Sequence, residues 1–509
     1  MPRSVHVCFC ALAVTATVAS GDEVSAACRG QATRVIVFND NGAWSWFEDE
    51  RAVIDPVAGT LVVSSVANAA GSGGEARDGN VEIVAYDVAT GTTDRVVLHA
   101  GLEADDHDSA ALHVRQDGRY LAMYSRHDKD RTSRWRVTRD PADATAWEPE
   151  STFEHDANAS YSNLSPAFDG DEGVVYAFVR TVGRDPHLLV SRDDGSTWES
   201  GGRLLDAPGR PYVRYAADRF GRVHLITTEQ HPDDYANGIY YGVVADNQLL
   251  RADGTVVDAD LGDNGAAVTE QLTRLFAGDD FLRAWTLDLQ VDSAGLPYAA
   301  FSVHSSAAGH RYYYARFDGV DWHVHPMARA GSALYEAQPH YTGLVALHPD
   351  DPDRVFVSTD VHPLTGVPLV SDRDREQHHE LFEGVTPDGG MTWRWIPVTR
   401  DSTADNIRPI VPAWDLSHTA LLWLRGTYST YEHYDLDVVG IVTSGTAVAA
   451  PDRHVIGCGA WLESAVSPWL TSRPDSGHCV DGWRRSIPVA SRASARAPIR
   501  RPKSRNAMS

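Results

Sequence analysis

Short apolar runs punctuated by turn signals recur along this chain. The clearest case lies between Ala104 and Asp128, where Asp117-Gly118 separates two apolar-rich runs. An Asp-Gly pair in that position predicts a β-hairpin. His107 lies ten residues before Asp117 and His127 ten residues after it. Residues equidistant from the turn of an antiparallel hairpin face each other, with Cβ atoms about 4.5–5.5 Å apart. The pattern therefore predicts two histidines side by side at one hairpin end.

The same construction repeats. Tyr161 and Arg180 flank a turn at Gly170-Asp171, Tyr212 and His231 one at Gly221-Arg222, and Trp285 and His304 one at Ala294-Gly295. His340 and His362 flank Asp351, and Arg408 and Arg425 flank the stretch from Asp415 to His418. A first hairpin turns at Ala58-Gly59 with a chemically bland pair, Asp49 and Ala67. The seven turns are separated by 59, 54, 50, 73, 57 and 65 residues. One hairpin per ~50–70 residues predicts an all-β chain folded as a seven-bladed β-propeller. Each inner hairpin then delivers its end residues to one face of the central channel.

The remaining apolar runs fit this plan. Gly59 to Val66 and Asn80 to Tyr86 continue blade one, and Trp135 to Thr138 continues blade two. Blade seven runs from Asn406 to Val411, through Ala420 to Thr427, to Leu436 to Val442. Unpaired strand edges are a liability, so Thr33 to Phe38 is expected to pair with the last blade and close the ring. Ser191-Arg-Asp-Asp-Gly-Ser-Thr-Trp198 fits the Asp-box pattern, and Thr386-Pro-Asp-Gly-Gly-Met-Thr-Trp393 is a degenerate copy. In such a turn Asp caps backbone N–H groups and Gly supplies the unusual dihedral, so the motif is structural punctuation.

Composition places the chain. Residues 1–27 read as a secretory signal peptide: Arg3 is followed by a mostly apolar stretch, with Ser25-Ala26-Ala27 as the cleavage site. Export to the periplasm or medium is expected. Cys28 follows directly, but Ser25 stands where a lipid-anchoring motif prefers Leu. No other run approaches the ~18 apolar residues of a membrane span. The propeller is expected over 28–450 and a C-terminal extension over 451–509, whose last part is basic and disordered in composition. Cys458 and Cys479 are the natural disulfide pair, with Cys28 as the other partner open to either. Neither Cys-x-x-Cys nor His-Glu-x-x-His is present, so zinc has no strong support, and structural calcium or zinc stays open.

The net charge of −25 argues against a nucleic-acid partner and disfavours a polyanion at long range. Only a local cluster of positive charge could hold an anionic saccharide, and screening beyond ~8–10 Å in salt makes such a cluster sufficient. The chain is expected to act as a monomer.

Trp44 to Val53, the hairpin from Asp106 to His127, Tyr161-Ser-Asn163, Arg210 to Tyr215 and the run Asn406 to Tyr434 together resemble BNR-repeat proteins of the BNR-4 type, which are seven-bladed propellers. Members of similar appearance include propeller-fold ulvan lyases, which cleave sulfated, uronate-containing polysaccharide. The resemblance implies His107, His127, Tyr161 and Arg180 as catalytic residues. Tyr212, Arg214, Tyr215, His231, Trp285, His304, His340, His362, Arg408 and Arg425 are the candidate substrate-binding residues.

Lyase action on a uronate needs a base for the C5 proton, a cation to neutralise the carboxylate and an acid for the leaving O4. Histidine or a tyrosinate beside cations can be the base, tyrosine the acid, and Arg180 a bidentate grip on the carboxylate. No redox cofactor is required. Two other readings stay open. Asp boxes also mark sialidases, and Arg180, Arg214, Arg408 and Arg425 could supply arginines for hydrolysis, although an N-terminal Arg-Ile-Pro signature is absent. A binding propeller could use Trp285, Trp423 and the tyrosines as stacking platforms.

Overall fold

The structure, a computed structural model, describes residues 34–444 apart from 264, 306–308, 336 and 416. The expected signal peptide, Cys28, the Cys458–Cys479 pair and the C-terminal extension lie outside the described residues.

Seven antiparallel sheets make up this part of the chain, six of four strands and one of six. The innermost strands are Ala52–Asp55, Ala111–Val114, Ser160–Asp169, Val213–Ala217, Leu282–Val291, Val345–Leu347 and Asp405–Ile410. Each pairs with the next strand in sequence through one of the seven expected turns. The fold is thus the seven-bladed propeller that the hairpin spacing predicts. Blade four has two strands more than the others, holding Gln248–Leu250, Val256–Asp258 and Thr273–Phe276 beyond its first three, and the added length accounts for the longest interval between turns.

The ring closes as expected. Ile36–Asn39 pairs antiparallel with His433–Ser444, so the first strand is the outermost strand of the last blade. The second strand of each blade is sandwiched between neighbours and reads as a continuous apolar run. Tyr120 to Tyr124, Val174 to Val179 and Ala420 to Leu424 are buried throughout. Side chains from adjacent blades interleave, as Leu121, Met123 and Trp135 of blade two do with Ala177 and Leu189 of blade three. Each fully buried aliphatic side chain contributes roughly 1.5–3 kcal/mol.

Both Asp boxes are built. Asp193 accepts from Ser191 Oγ, the Thr197 amide and Thr197 Oγ1 at 2.7–2.8 Å. Gly195 takes φ 85°, a left-handed conformation that glycine adopts without strain. Asp388 repeats the contacts with Thr386 and Thr392. Both boxes lie at outer turns, away from the channel.

Candidate functional site

The strand entering blade two is preceded by a single 3-10 turn, Asp106–Asp108, capped by Asp105. Asp105 Oδ1 accepts the His107 amide at 3.0 Å, which fixes the turn, and also His107 Nδ1 at 2.6 Å. Its other oxygen meets His127 Nδ1 at 3.1 Å. One buried carboxylate thus holds both imidazoles by the same nitrogen. The rings stack with centroids 3.9 Å apart, and both Nε2 atoms are left for other partners.

Blade three adds the other two residues. Its inner strand bulges between Ser160 and Asn163, and Tyr161 takes φ 62°. A positive φ in a non-glycine residue is strained and is held by its surroundings. The bulge sets the Tyr161 ring 5.6 Å from His107 and 5.9 Å from His127. Arg180 pairs with Ser160 across the hairpin, and its guanidinium lies over the Tyr161 ring at 4.5 Å. Arg180 Nη2 donates to His127 Nε2 at 3.3 Å, while Nη1 is buried without a partner. Tyr431 of blade seven meets both imidazoles edge-on.

Burial and charge divide the two histidines. Burial alone would lower His107, but Asp105 and Asp106 beside it raise it above the ordinary histidine value. Burial and the neighbouring His107 charge push His127 down to about 4, against the pull of Asp105. The surroundings therefore favour a proton on His107 over one on His127. Burial also pushes the Tyr161 hydroxyl well above the ordinary phenol range, so it keeps its proton.

The floor of the site is the segment Trp44 to Arg51, which runs into the central channel. Trp46 Nε1 donates to the Thr342 carbonyl at 2.9 Å. The Phe47 ring packs on Tyr212 and Trp285 at 4.3 and 4.4 Å. Glu48 pairs with Arg51 at 2.8 Å and accepts from Ser109 Oγ at 2.7 Å. Beneath His107, Asp106 Oδ2 accepts from Arg408 Nη1 at 2.7 Å and from the Tyr428 hydroxyl at 2.9 Å. Arg408 also donates to the Trp44 carbonyl and lies over the Trp46 ring.

A wall of rings continues from Arg180. The guanidinium is 5.6 Å from the Tyr212 ring, and Tyr212 meets His231 and Trp285 edge-on at 5.6 and 5.1 Å. His340 lies 6.4 Å from Trp285 and 4.5 Å from His304. His340 Nε2 is held by Asp233 at 2.6 Å. Burial, with Arg210 and His340 nearby, pushes His231 to about 3.

The structure therefore brings together His107, His127, Tyr161, Arg180, Tyr212, His231, Trp285, His304 and His340. Five candidates lie elsewhere. Arg214 sits one layer deeper, under the Phe47 plug, bound to Asp288 at 3.1 Å and Glu50 at 3.4 Å. Tyr215 points between blades and stacks on Phe178 at 4.0 Å. His362 stands just past the strand Arg354–Thr359, at the start of the long connection to Glu380, and faces Phe382, 6.1 Å away. Arg408 is wholly buried beneath the site. Arg425 is carried away from Arg408 by the bulge between Ile407 and Ile410 and stands opposite Asp437. Equidistance from a turn fixes which residues face each other only while the ladder is regular. Asp105 went unread, although the acidic pair Asp105-Asp106 directly before His107 was its visible signal.

Among the described residues, Asp105, His107 and His127 also form a set whose ligand atoms lie within 4.8 Å of one another. Two imidazoles and a carboxylate are donors that first-row divalent ions take. No helix among the described residues is long and apolar enough to cross a membrane.

Comparison with solved structures places the architecture. A PL25 ulvan lyase bound to -[GlcA(1-4)Rha3S]- matches with TM-score 0.57 at 13% identity, covering 81% of this chain and 98% of that one. The polysaccharide lyase Uly1 matches with TM-score 0.53 at 10% identity, covering 81% and 99%. At these identities the likeness is one of fold. No curated protein sequence matches the chain. The family model described as a BNR repeat-containing family member matches residues 75–330. With half of its sequence inside that model and its seven blades in place, the chain belongs to the BNR repeat-containing family.

Proposed function

We propose that this propeller is a polysaccharide lyase that cleaves a uronate-containing, ulvan-like chain by β-elimination at the cluster of His107, His127, Tyr161 and Arg180. The observation that carries the reading is the geometry around one buried carboxylate. Asp105 holds both imidazoles side by side, with the extra proton favoured on His107, and Tyr161 and a half-satisfied Arg180 lie against them. The ulvan lyases that share the fold support the substrate class.

In this reading Arg180 turns its unpartnered Nη1, and then Nη2, to the substrate carboxylate. That releases the lone pair of His127 Nε2. His127 takes the C5 proton, and the electrons of the C5–H bond become the C4–C5 double bond. The C4–O4 bond breaks, and O4 receives the Tyr161 proton. Charge builds on the carboxylate as C5 loses its proton, and the Arg180 and His107 cations stabilise it. His127 returns its proton to Tyr161 directly or through water. Positioned acid–base catalysis of this kind contributes roughly 10²–10⁴-fold.

The hydrolase alternative lacks its arginines. Arg214 and Arg408 are each bound to a different buried carboxylate, and Arg425 faces Asp437. The test is incubation with a panel of uronate polysaccharides, ulvan included, while absorbance of the unsaturated product is followed. Products without a C4–C5 double bond would refute elimination. Export of the chain, as the N-terminal sequence suggests, belongs to the same proposal.

A further inference from the structure

The inner hairpins have a second end. Their turns lie on the face opposite the catalytic cluster, and there blades two, three and four enclose a groove of about 550 Å³. Its lining includes His113 and Gln116 of blade two, Phe168 and Arg192 of blade three and Arg219 of blade four. We propose that this groove is a second saccharide-binding site, in which a pyranose ring of a polysaccharide chain stacks on Phe168.

Phe168 is 47% exposed although it belongs to a regular strand. It is not loose. Its amide donates to the Gly221 carbonyl at 2.9 Å. Its ring lies against Gly221 so closely that a Cβ there would come within 1.9 Å of Cδ2. A side chain at position 221 would displace the ring, so glycine makes the platform possible.

The polar groups around the ring fall into two sets. The carboxylates are taken: Asp194 accepts from His113 Nε2 at 3.0 Å and the Gln116 amide at 2.7 Å, and Asp193 closes the Asp box. Asp218 holds Arg222 and His224, and Arg192 is shared between Asp169 and Glu172. Among the described residues, the Gln116 side chain makes no hydrogen bond. Arg219 makes no ion pair there, and its guanidinium lies over Phe220 at 4.9 Å. One rigid ring, one neutral amide and one free guanidinium therefore face the groove. A sugar offers the matching groups: a C–H face for the ring, hydroxyls for the amide, and a hydroxyl, sulfate or carboxylate oxygen for Arg219. The site is independent of the elimination chemistry, and a polymer held here would be tethered while another stretch is processed.

The test is affinity electrophoresis of the full chain through gels containing ulvan, galactomannan or xylan. The wild type is expected to be retarded by at least one polymer. Phe168→Ala should weaken that retardation about tenfold in dissociation constant, with Phe168→Tyr restoring it. Arg219→Ala should weaken it less. Turnover of short oligosaccharides should be unchanged in all three variants, whose melting temperatures report their folding. A wild type retarded by none of the three polymers, or a Phe168→Ala chain retarded like the wild type, overturns the proposal. Failure of the elimination reading would show in product absorbance, and failure of this one in retardation alone.

Discussion

The imidazoles of His107 and His127 are stacked 3.9 Å apart, with only 19° between their planes. Two like rings that close cannot both carry a proton cheaply, and the Asp105 carboxylate between their Nδ1 atoms compensates for one positive charge. The pair is therefore a single unit with one proton to spare, and its behaviour with pH follows.

His127 is pushed down to about 4, so its free-base form persists well below neutrality. The acid limb of kcat/KM should fall near pH 4, where an ordinary histidine would place it near 6.5. In Asp105→Asn the limb should move lower still, because the carboxylate that favours the imidazolium is gone. A limb above pH 6 would remove His127 from the role of base. Stability follows the same sign. The unfolded chain takes up this proton near 6.5 and the folded chain only near 4, so stability present above 6.5 is lost as pH falls through that window.

Tyr161→Phe keeps the ring that supports Arg180 and removes the hydroxyl. Folding should survive, as judged by the melting temperature, and kcat on a cleaved polysaccharide should drop by about 10²-fold or more. Near-wild-type turnover would take the proton donor elsewhere.

Arg180→Lys replaces a planar fork with a point charge. Lysine cannot offer two parallel donors to a carboxylate, so kcat/KM should fall by at least about tenfold. Full activity in this variant would show that no bidentate grip is used.

Arg408 and Asp106 are both fully buried, and each is the other's counter-ion. Arg408→Met should cost about 3–5 kcal/mol, since it removes the guanidinium that pairs with Asp106 in the interior. Urea midpoints measure this loss. A change below about 1 kcal/mol would mean that Tyr428 and the Trp46 ring already compensate for the pair.

Asp193→Ala removes three hydrogen bonds from the first Asp box. A loss of about 1–3 kcal/mol in stability is expected, with kcat unchanged. A selective loss of kcat would contradict the structural role of the motif.

The seven turns, the ring closure and the two Asp boxes were legible because each depends on local chemistry that recurs. Gly118 and Gly221 take φ of 78° and 79° at inner turns, and only a few residue types permit that. The facing pairs of blades two and three were legible for the same reason: one hairpin holds both partners. What was hidden depends on where blades meet. Nothing near Trp44 to Arg51 announces that this run fills the channel, because its partners come from Asn163, Arg214, Trp285 and Thr342. The bulges at Tyr161 and Arg408 were equally silent, and they decide that one ring faces the cleft while one guanidinium goes beneath it.

The closing pair Ile36 and Gly440 spans nearly the whole described chain. Every blade but the last is made from neighbouring sequence and can form as soon as it is synthesised, since local contacts are fast. The last blade cannot, because its outer strand is the earliest of the described strands and must wait, exposed, for its partner. Loop-closure entropy grows only slowly with length, so the delay concerns order of events far more than stability. In kinetic terms the strand Ile36–Asn39 is a latch that can engage only once the strands of the last blade exist. A chain lacking it should assemble its first six blades at the normal speed yet leave the ring open to capture by the same strand of another molecule.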